Sequence, residues 1–169
     1  ATHYTPIENG RLKVDRSFMD WWPGTDVVDW MGTSYFNFDR RIHDAFLNFA
    51  RSKGKPVMIA EAAPQGYDLE LGMTLDVFTN RRLSTELSGR DIWVRWFKPF
   101  FRYINDNRDV IRAVAYINTP WKMQQMWNSG ENGFWGDSRI QVHCILNSVS
   151  KRWTLADAYI KEKFLKEMS

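Results

Sequence analysis

Cysteine is almost missing from this chain of 169 residues; Cys144 stands alone, so no internal disulfide can form. Histidine is nearly as scarce, and His3, His43 and His143 are scattered, so neither a metal nor a cofactor is expected. No apolar run reaches the length that spans a bilayer, which argues against a membrane partner. The amino terminus lacks the basic-then-apolar pattern of a secretory signal. Basic residues form no block, so the electrostatic footprint of a nucleic-acid binder is absent. Two nucleophile and phosphate signatures are missing as well: there is no glycine-rich phosphate loop and no serine in a nucleophile-elbow context.

Aromatic side chains, in contrast, are abundant, with 9 Trp, 11 Phe and 6 Tyr. They serve either a large core or a groove, since ring faces pack against the flat C–H faces of sugars while polar tips stay wet. The charges nearly balance, 23 basic against 20 acidic. The length suits one domain over residues 1–169 that buries on the order of 70% of its unfolded surface.

The order of signals is loop, strand, helix, strand, loop, helix, strand, loop, helix. Residues 1–24, with Pro6, Asn9-Gly10 and Pro23-Gly24, read as a leading loop with a short strand at 11–14. Residues 25–169 then read as three βα units. Strands are expected at 27–35, 56–60 and 110–117, where β-formers cluster. A helix is expected over 39–53, with Ile42, Phe46, Phe49 and Ala50 at helical spacing and Gly54 as its stop. Residues 62–89 read as a long loop with a short helix near 74–80. A second helix covers 91–105, where Trp93, Trp96, Phe97, Phe100 and Phe101 form a core face and Pro99 predicts a kink near Trp96. Another long loop fills 118–138, a short helical piece 141–150, and a last helix 154–167. Alternation of this kind implies a parallel sheet with right-handed crossovers, an α/β fold. Three strands are too few to close a barrel, and bare strand edges invite pairing.

One residue stands out. The run Pro56-Val57-Met58-Ile59-Ala60 ends in Glu61, a carboxylate at the carboxyl end of an apolar strand. Barrel enzymes keep their chemistry at that face. The same residue could instead cap the next turn or pair with an arginine. Asn118, Gln65, Gln124 and Trp127 lie in the flanking loops and carry hydroxyl-binding or stacking chemistry.

Three segments carry a more specific signal: Trp21-Trp22-Pro23-Gly24-Thr25-Asp26-Val27-Val28-Asp29-Trp30-Met31-Gly32, then Pro56-Val57-Met58-Ile59-Ala60-Glu61, then Trp135-Gly136-Asp137-Ser138-Arg139. Together they resemble the C-terminal half of glycoside hydrolase family 26, the β-mannanase and β-1,3-xylanase type. The resemblance implies a partial (β/α)₈ TIM barrel, about its last three βα units with long βα loops. It implies Glu61 as the nucleophile of a retaining hydrolase of β-linked polysaccharide (mannan, xylan or β-glucan), Tyr35 as a hydrogen-bond partner of that nucleophile, and Trp121 as a floor beneath the sugar. A retaining enzyme needs a second carboxylate about 5–5.5 Å away, and the family's acid/base glutamate has no counterpart in these residues. Asp29 sits at the wrong end of its strand, while Glu70, Glu131 and Asp137 lie in loops. The isolated chain is therefore expected to be incomplete as a catalyst. The alternatives are a half-barrel that binds glycan or self-assembles without catalysis, and a small α/β protein in which Glu61 is structural. The expected partners are a polysaccharide or oligosaccharide and, through exposed strand edges, further copies of the chain. The resemblance also implies that the parent protein is secreted or periplasmic.

Overall fold

The computed structural model describes residues 7–8, 11–12, 18–36, 40–84, 86–128, 133–140, 144–146, 153–155 and 158–169. Its elements are, in order, β1 (Ile7–Glu8), β2 (Arg11–Leu12), β3 (Met31–Tyr35), α1 (Arg40–Ser52), β4 (Val57–Ala62), β5 (Tyr67–Asp68), β6 (Met73–Leu75), β7 (Arg82–Ser84), α2 (Gly89–Ile92), α3 (Lys98–Asp106), β8 (Ile111–Tyr116), β9 (Gly136–Asp137), β10 (Cys144–Leu146), β11 (Trp153–Leu155) and α4 (Tyr159–Met168). The architecture is α/β and consistent with part of a barrel; no closed barrel forms among the described residues. No helix among them is long and apolar enough to cross a membrane. The chain divides into two compact units, one of Ala1–Ala62 with Asp106–Tyr116, the other of Ala63–Asn105 with Ile117–Ser169.

The first unit holds the parallel sheet, with strands in the order β3-β4-β8. Spatial order equals chain order, as right-handed βα crossovers produce. Helix α1 buries His43, Leu47 and Ala50, an i, i+4, i+7 stripe. The aromatic positions expected to form that stripe are rotated from it. Phe46 and Phe49 are half-buried and receive Phe18 (ring centroids 5.6 and 5.5 Å), and Phe49 also meets Trp22 edge-on at 5.6 Å. Trp22 thus packs the segment leading into β3, whereas its neighbour Trp21 is largely exposed. The stop at Gly54 follows from backbone chemistry. Gly54 takes φ +61, its N–H reaches the Arg51 carbonyl, and the Lys55 N–H reaches that of Ala50. This double closure needs a left-handed residue, which glycine supplies without strain. From the last turn, Arg51 forks onto Asp109 (2.7 and 2.9 Å) and also reaches Asn107 at 2.9 Å. Residues 107–110 form the turn that feeds β8.

In the second unit the structure corrects two expectations about the long segments. Residues 74–80 are not helical. Met73–Leu75 and Arg82–Ser84 are paired antiparallel strands, joined by a turn in which Asp76 Oδ1 accepts from the N–H groups of Phe78 and Thr79. An aspartate that satisfies the amides two and three residues on stabilises a turn in place of a helix. The stretches read as long loops carry a four-stranded sheet, order β7-β6-β5-β9. Residues 144–146 and 153–155 pair antiparallel where helix was expected, so the last helix starts only at Tyr159. The kink near Trp96 is a π-helical turn, Trp93–Phe97, between α2 and α3. Pro99 has no N–H to offer the Arg95 carbonyl, and the Lys98 N–H closes instead on Trp93, five residues back. Trp93, Trp96, Phe97, Phe100 and Phe101 are buried as expected, and Phe164 of α4 packs edge-on to Phe97 and Phe101.

Candidate active site

A simple alternation along β4 would put Glu61 on the same face as Val57 and Ile59, both fully buried. The register prevents this. Thr33 pairs with Ile59 but Ser34 pairs with Glu61, and on the other side Val114 pairs with Ile59 while Tyr116 pairs with Ala62. Between Ile59 and Ala62, strand β4 therefore holds one more residue than either neighbour, and its pairing with β3 places the bulge at Ala60. Bulges of this kind reset the alternation and re-aim side chains. Ala62, fully buried, takes the place on the covered face, and half-buried Glu61 turns to the other.

There Ser34 Oγ donates to Glu61 Oε2 at 2.9 Å. A serine one strand away in register has its hydroxyl within reach without spending a long side chain's rotamer freedom. The Ser34 carbonyl accepts from His43 Nε2 at 3.1 Å, which requires that nitrogen to carry the proton. Tyr35 follows Ser34 and so faces the other side of the sheet, where its ring lies 5.5 Å from that of His43. It is 1% exposed, and burial pushes its phenol well above the ordinary tyrosine range. Asp29 is exposed ahead of β3.

The second unit contains the other candidates. Ser138 is a buried hub. Trp121 Nε1 donates to Ser138 Oγ at 2.9 Å, and Ser138 Oγ donates to the Ile117 carbonyl at 2.7 Å. The Ser138 N–H closes on the Thr119 carbonyl at 3.0 Å. These bonds fix the path of the chain as it leaves β8. Trp121 is 6% exposed and forms a triad with Trp127 and Trp135, ring centroids 4.9 to 5.6 Å apart. Gln124 Nε2 donates to Thr119 Oγ1 at 2.8 Å, and Asn118 Oδ1 accepts from the Ile140 N–H at 2.8 Å. Gln65 is half-buried in the turn after β4.

Asp68, Glu70 and Asp137 bring three carboxylates within 4.8 Å of one another. Two cations already engage them. Lys122 contacts all three, and Arg139 bonds Asp137 at 2.6 Å and Glu70 at 3.2 Å. Burial raises Asp68 above the usual carboxylate range, against the Leu71 amide and Lys122, which favour its ionised form. Burial also works against the Lys122 charge, but the bonds to Glu70 and Asp68 outweigh it and leave its pKa raised. Arg139, bonded to Asp137, is held more firmly charged. Glu70 and Asp137 are accordingly members of an ion network, in which Asp137 and Arg139 pair directly. Glu131 lies outside the described residues.

The order of β3-β4-β8 and a carboxylate at a strand's carboxyl end suit a glycosidase barrel, and kinship tests that suggestion. The chain is 41% identical over 165 residues to the β-1,3-xylanase TXYA of a Vibrio species, a match that covers 91% of this chain and 33% of that protein. This chain is a relative of the β-1,3-xylanases. A second β-1,3-xylanase, from an Alcaligenes species, is 39% identical over 175 residues, covering 98% of this chain and 34% of the relative. The chain thus spans about a third of the length of these curated β-1,3-xylanases. No family model matches it. The matches agree with the resemblance to the β-1,3-xylanase type of family 26 that the sequence segments carry. Sequence reasoning missed Ser34, His43 and Ser138. Only the first had a usable signal: its place one residue before a strand end, in a strand expected beside that of Glu61.

Proposed function

We propose that Glu61 is the nucleophile of a retaining glycoside hydrolase that cleaves β-1,3-linked xylan. The observation that supports this most is the bulge at Ala60, which turns the carboxylate away from the α1 layer and onto the Ser34 hydroxyl. An attacking oxygen adds to the anomeric carbon, the leaving oxygen departs with the bonding pair, and water later releases the sugar. The relatives' names supply the xylan linkage. The acid/base carboxylate is proposed to lie in the part of the relatives' length that these residues do not span, with action outside the cytoplasm. In the second unit, the Trp121, Trp127 and Trp135 triad with Asn118, Gln65 and Gln124 is proposed to bind sugar.

The test is chemical rescue with a β-1,3-xylobioside that carries a 2,4-dinitrophenyl leaving group, which needs no acid. Glu61→Ala should be inactive until azide is added, and the product should be the α-glycosyl azide, inverted once. A β-azide would assign Glu61 the acid/base role instead.

A second reading, glycan binding without turnover, is favoured by the identification of only one carboxylate of the pair. Calorimetry with β-1,3-xylo-oligosaccharides separates the two: binding without any turnover of the activated substrate supports it. Self-assembly enters either reading, because β3 and β8 each pair on one side only among the described residues.

A further inference from the structure

We propose that Ser34 is a positioning residue for Glu61, holding one carboxylate oxygen so that the other faces the sugar. The inference rests on the reading of Glu61 as nucleophile and adds to it a second residue with a defined task. Ser34 Oγ donates to Oε2 at 2.9 Å, which leaves Oε1 to attack. A carboxylate on a two-carbon stem rotates freely unless something holds it, and a misdirected lone pair loses the advantage of proximity.

The donor is itself held. Ser34 and Glu61 are paired in the β3-β4 ladder, and the Ser34 carbonyl accepts from His43 Nε2 at 3.1 Å. His43 is 9% exposed on α1. The hydroxyl is therefore fixed through the ladder on one side and through the helix layer on the other. The bulge at Ala60 makes the contact possible, because a regular strand would carry Glu61 to the opposite face.

The experiment traps the glycosyl intermediate on the full chain with 2,4-dinitrophenyl 2-deoxy-2-fluoro-β-1,3-xylobioside. Glu61 Oε1 bonds to C1 as the C1–O bond to dinitrophenol breaks, and dinitrophenolate leaves with the pair. Peptide mass mapping locates the label. In Ser34→Ala the inactivation rate constant should fall about 10- to 100-fold, the range of a lost hydrogen bond to a charged group. The concentration for half-saturation should stay within about two-fold, since no sugar contact is removed. Ser34→Thr, which keeps the hydroxyl, should restore the rate. If Ser34→Ala does not fold by circular dichroism, Ser34→Cys is read in its place, a side chain of similar size with a poor donor. Wild-type rates with the label still on Glu61 overturn the role of Ser34 and leave the nucleophile intact. Absence of label on Glu61 in the unaltered chain overturns both.

Discussion

Ser34 and Glu61 stand opposite each other in parallel strands only because Ala60 is an extra residue in the second of them. Their 2.9 Å contact joins a strand end that has no charge to one that does. The bulge decides which layer the carboxylate meets, and it gives a direct test. Deletion of Ala60 should send Glu61 toward the side lined by Val57 and Ile59, both fully buried. A carboxylate forced into apolar surroundings should lower stability in urea by about 3 kcal/mol or more. Ala60→Ser should stay within about 1 kcal/mol. A deletion variant with unchanged stability would mean that the bulge does not set the facing of Glu61.

Ser138 should matter more than a serine usually does. Its hydroxyl accepts from Trp121 and donates to Ile117, and the residue is fully buried. Ser138→Ala leaves an indole N–H and a carbonyl without this partner. The expected loss is about 2–3 kcal/mol in urea unfolding, with a change in tryptophan emission as the triad loosens. A loss below about 0.5 kcal/mol would remove Ser138 as the hub of this segment.

The ion network predicts an alkaline limit. The folded pKa of Lys122 is raised, so its stabilising contribution is complete below the unfolded value of about 10.4 and fades as pH rises through the folded one. Asp68 acts with the opposite sign to an ordinary paired carboxylate. Its pKa is raised by burial, so the folded state takes up its proton first as pH falls, and its titration does not drive acid unfolding. Lys122→Met should cost about 3 kcal/mol at neutral pH, because three carboxylates lose a counter-charge. That gap should narrow above pH about 10.4. A gap that stays constant to pH 12 would place the Lys122 effect in packing alone.

The strand edges predict association. Because β3 and β8 have one paired side each among the described residues, the isolated chain should self-associate, as open edges do. Multi-angle light scattering should report a dimer or larger species. A stable monomer that does not aggregate at tens of micromolar would contradict the prediction.

Much of the fold was legible because it rests on short-range pattern. The three parallel strands, α1 with its glycine stop, the aromatic helix face and the proline-induced irregularity all follow from spacing and from backbone chemistry within a few residues. What escaped depends on partners distant in sequence. The bulge at Ala60 is a mismatch between strands and has no mark within its own strand. The face that Tyr35 takes follows from the register of β3, so its place against His43 could not be read from its position at a strand end. The hairpin at 73–84 was hidden because Thr74 to Asn80 carries apolar residues at loosely helical spacing, while Asp76 decides for a turn. In the candidate site, Glu61, Trp121 and Trp127 drew attention as residue types in the sequence, whereas the serines bonded to Glu61 and Trp121 did not.

Arg51 has one more implication. Its fork onto Asp109 and its bond to Asn107 join the end of α1 to the turn ahead of β8. At the same end, the Met31 N–H meets the Pro56 carbonyl and the Val57 N–H that of Val110. All of these ties lie where the strands begin. These bonds tie the three strands together where they begin, and Ser34 and Glu61 lie near the other ends, where the Ser34 hydroxyl and His43 supply further ties. The strand spacing set at the base is therefore carried along the ladder to the end that holds the carboxylate.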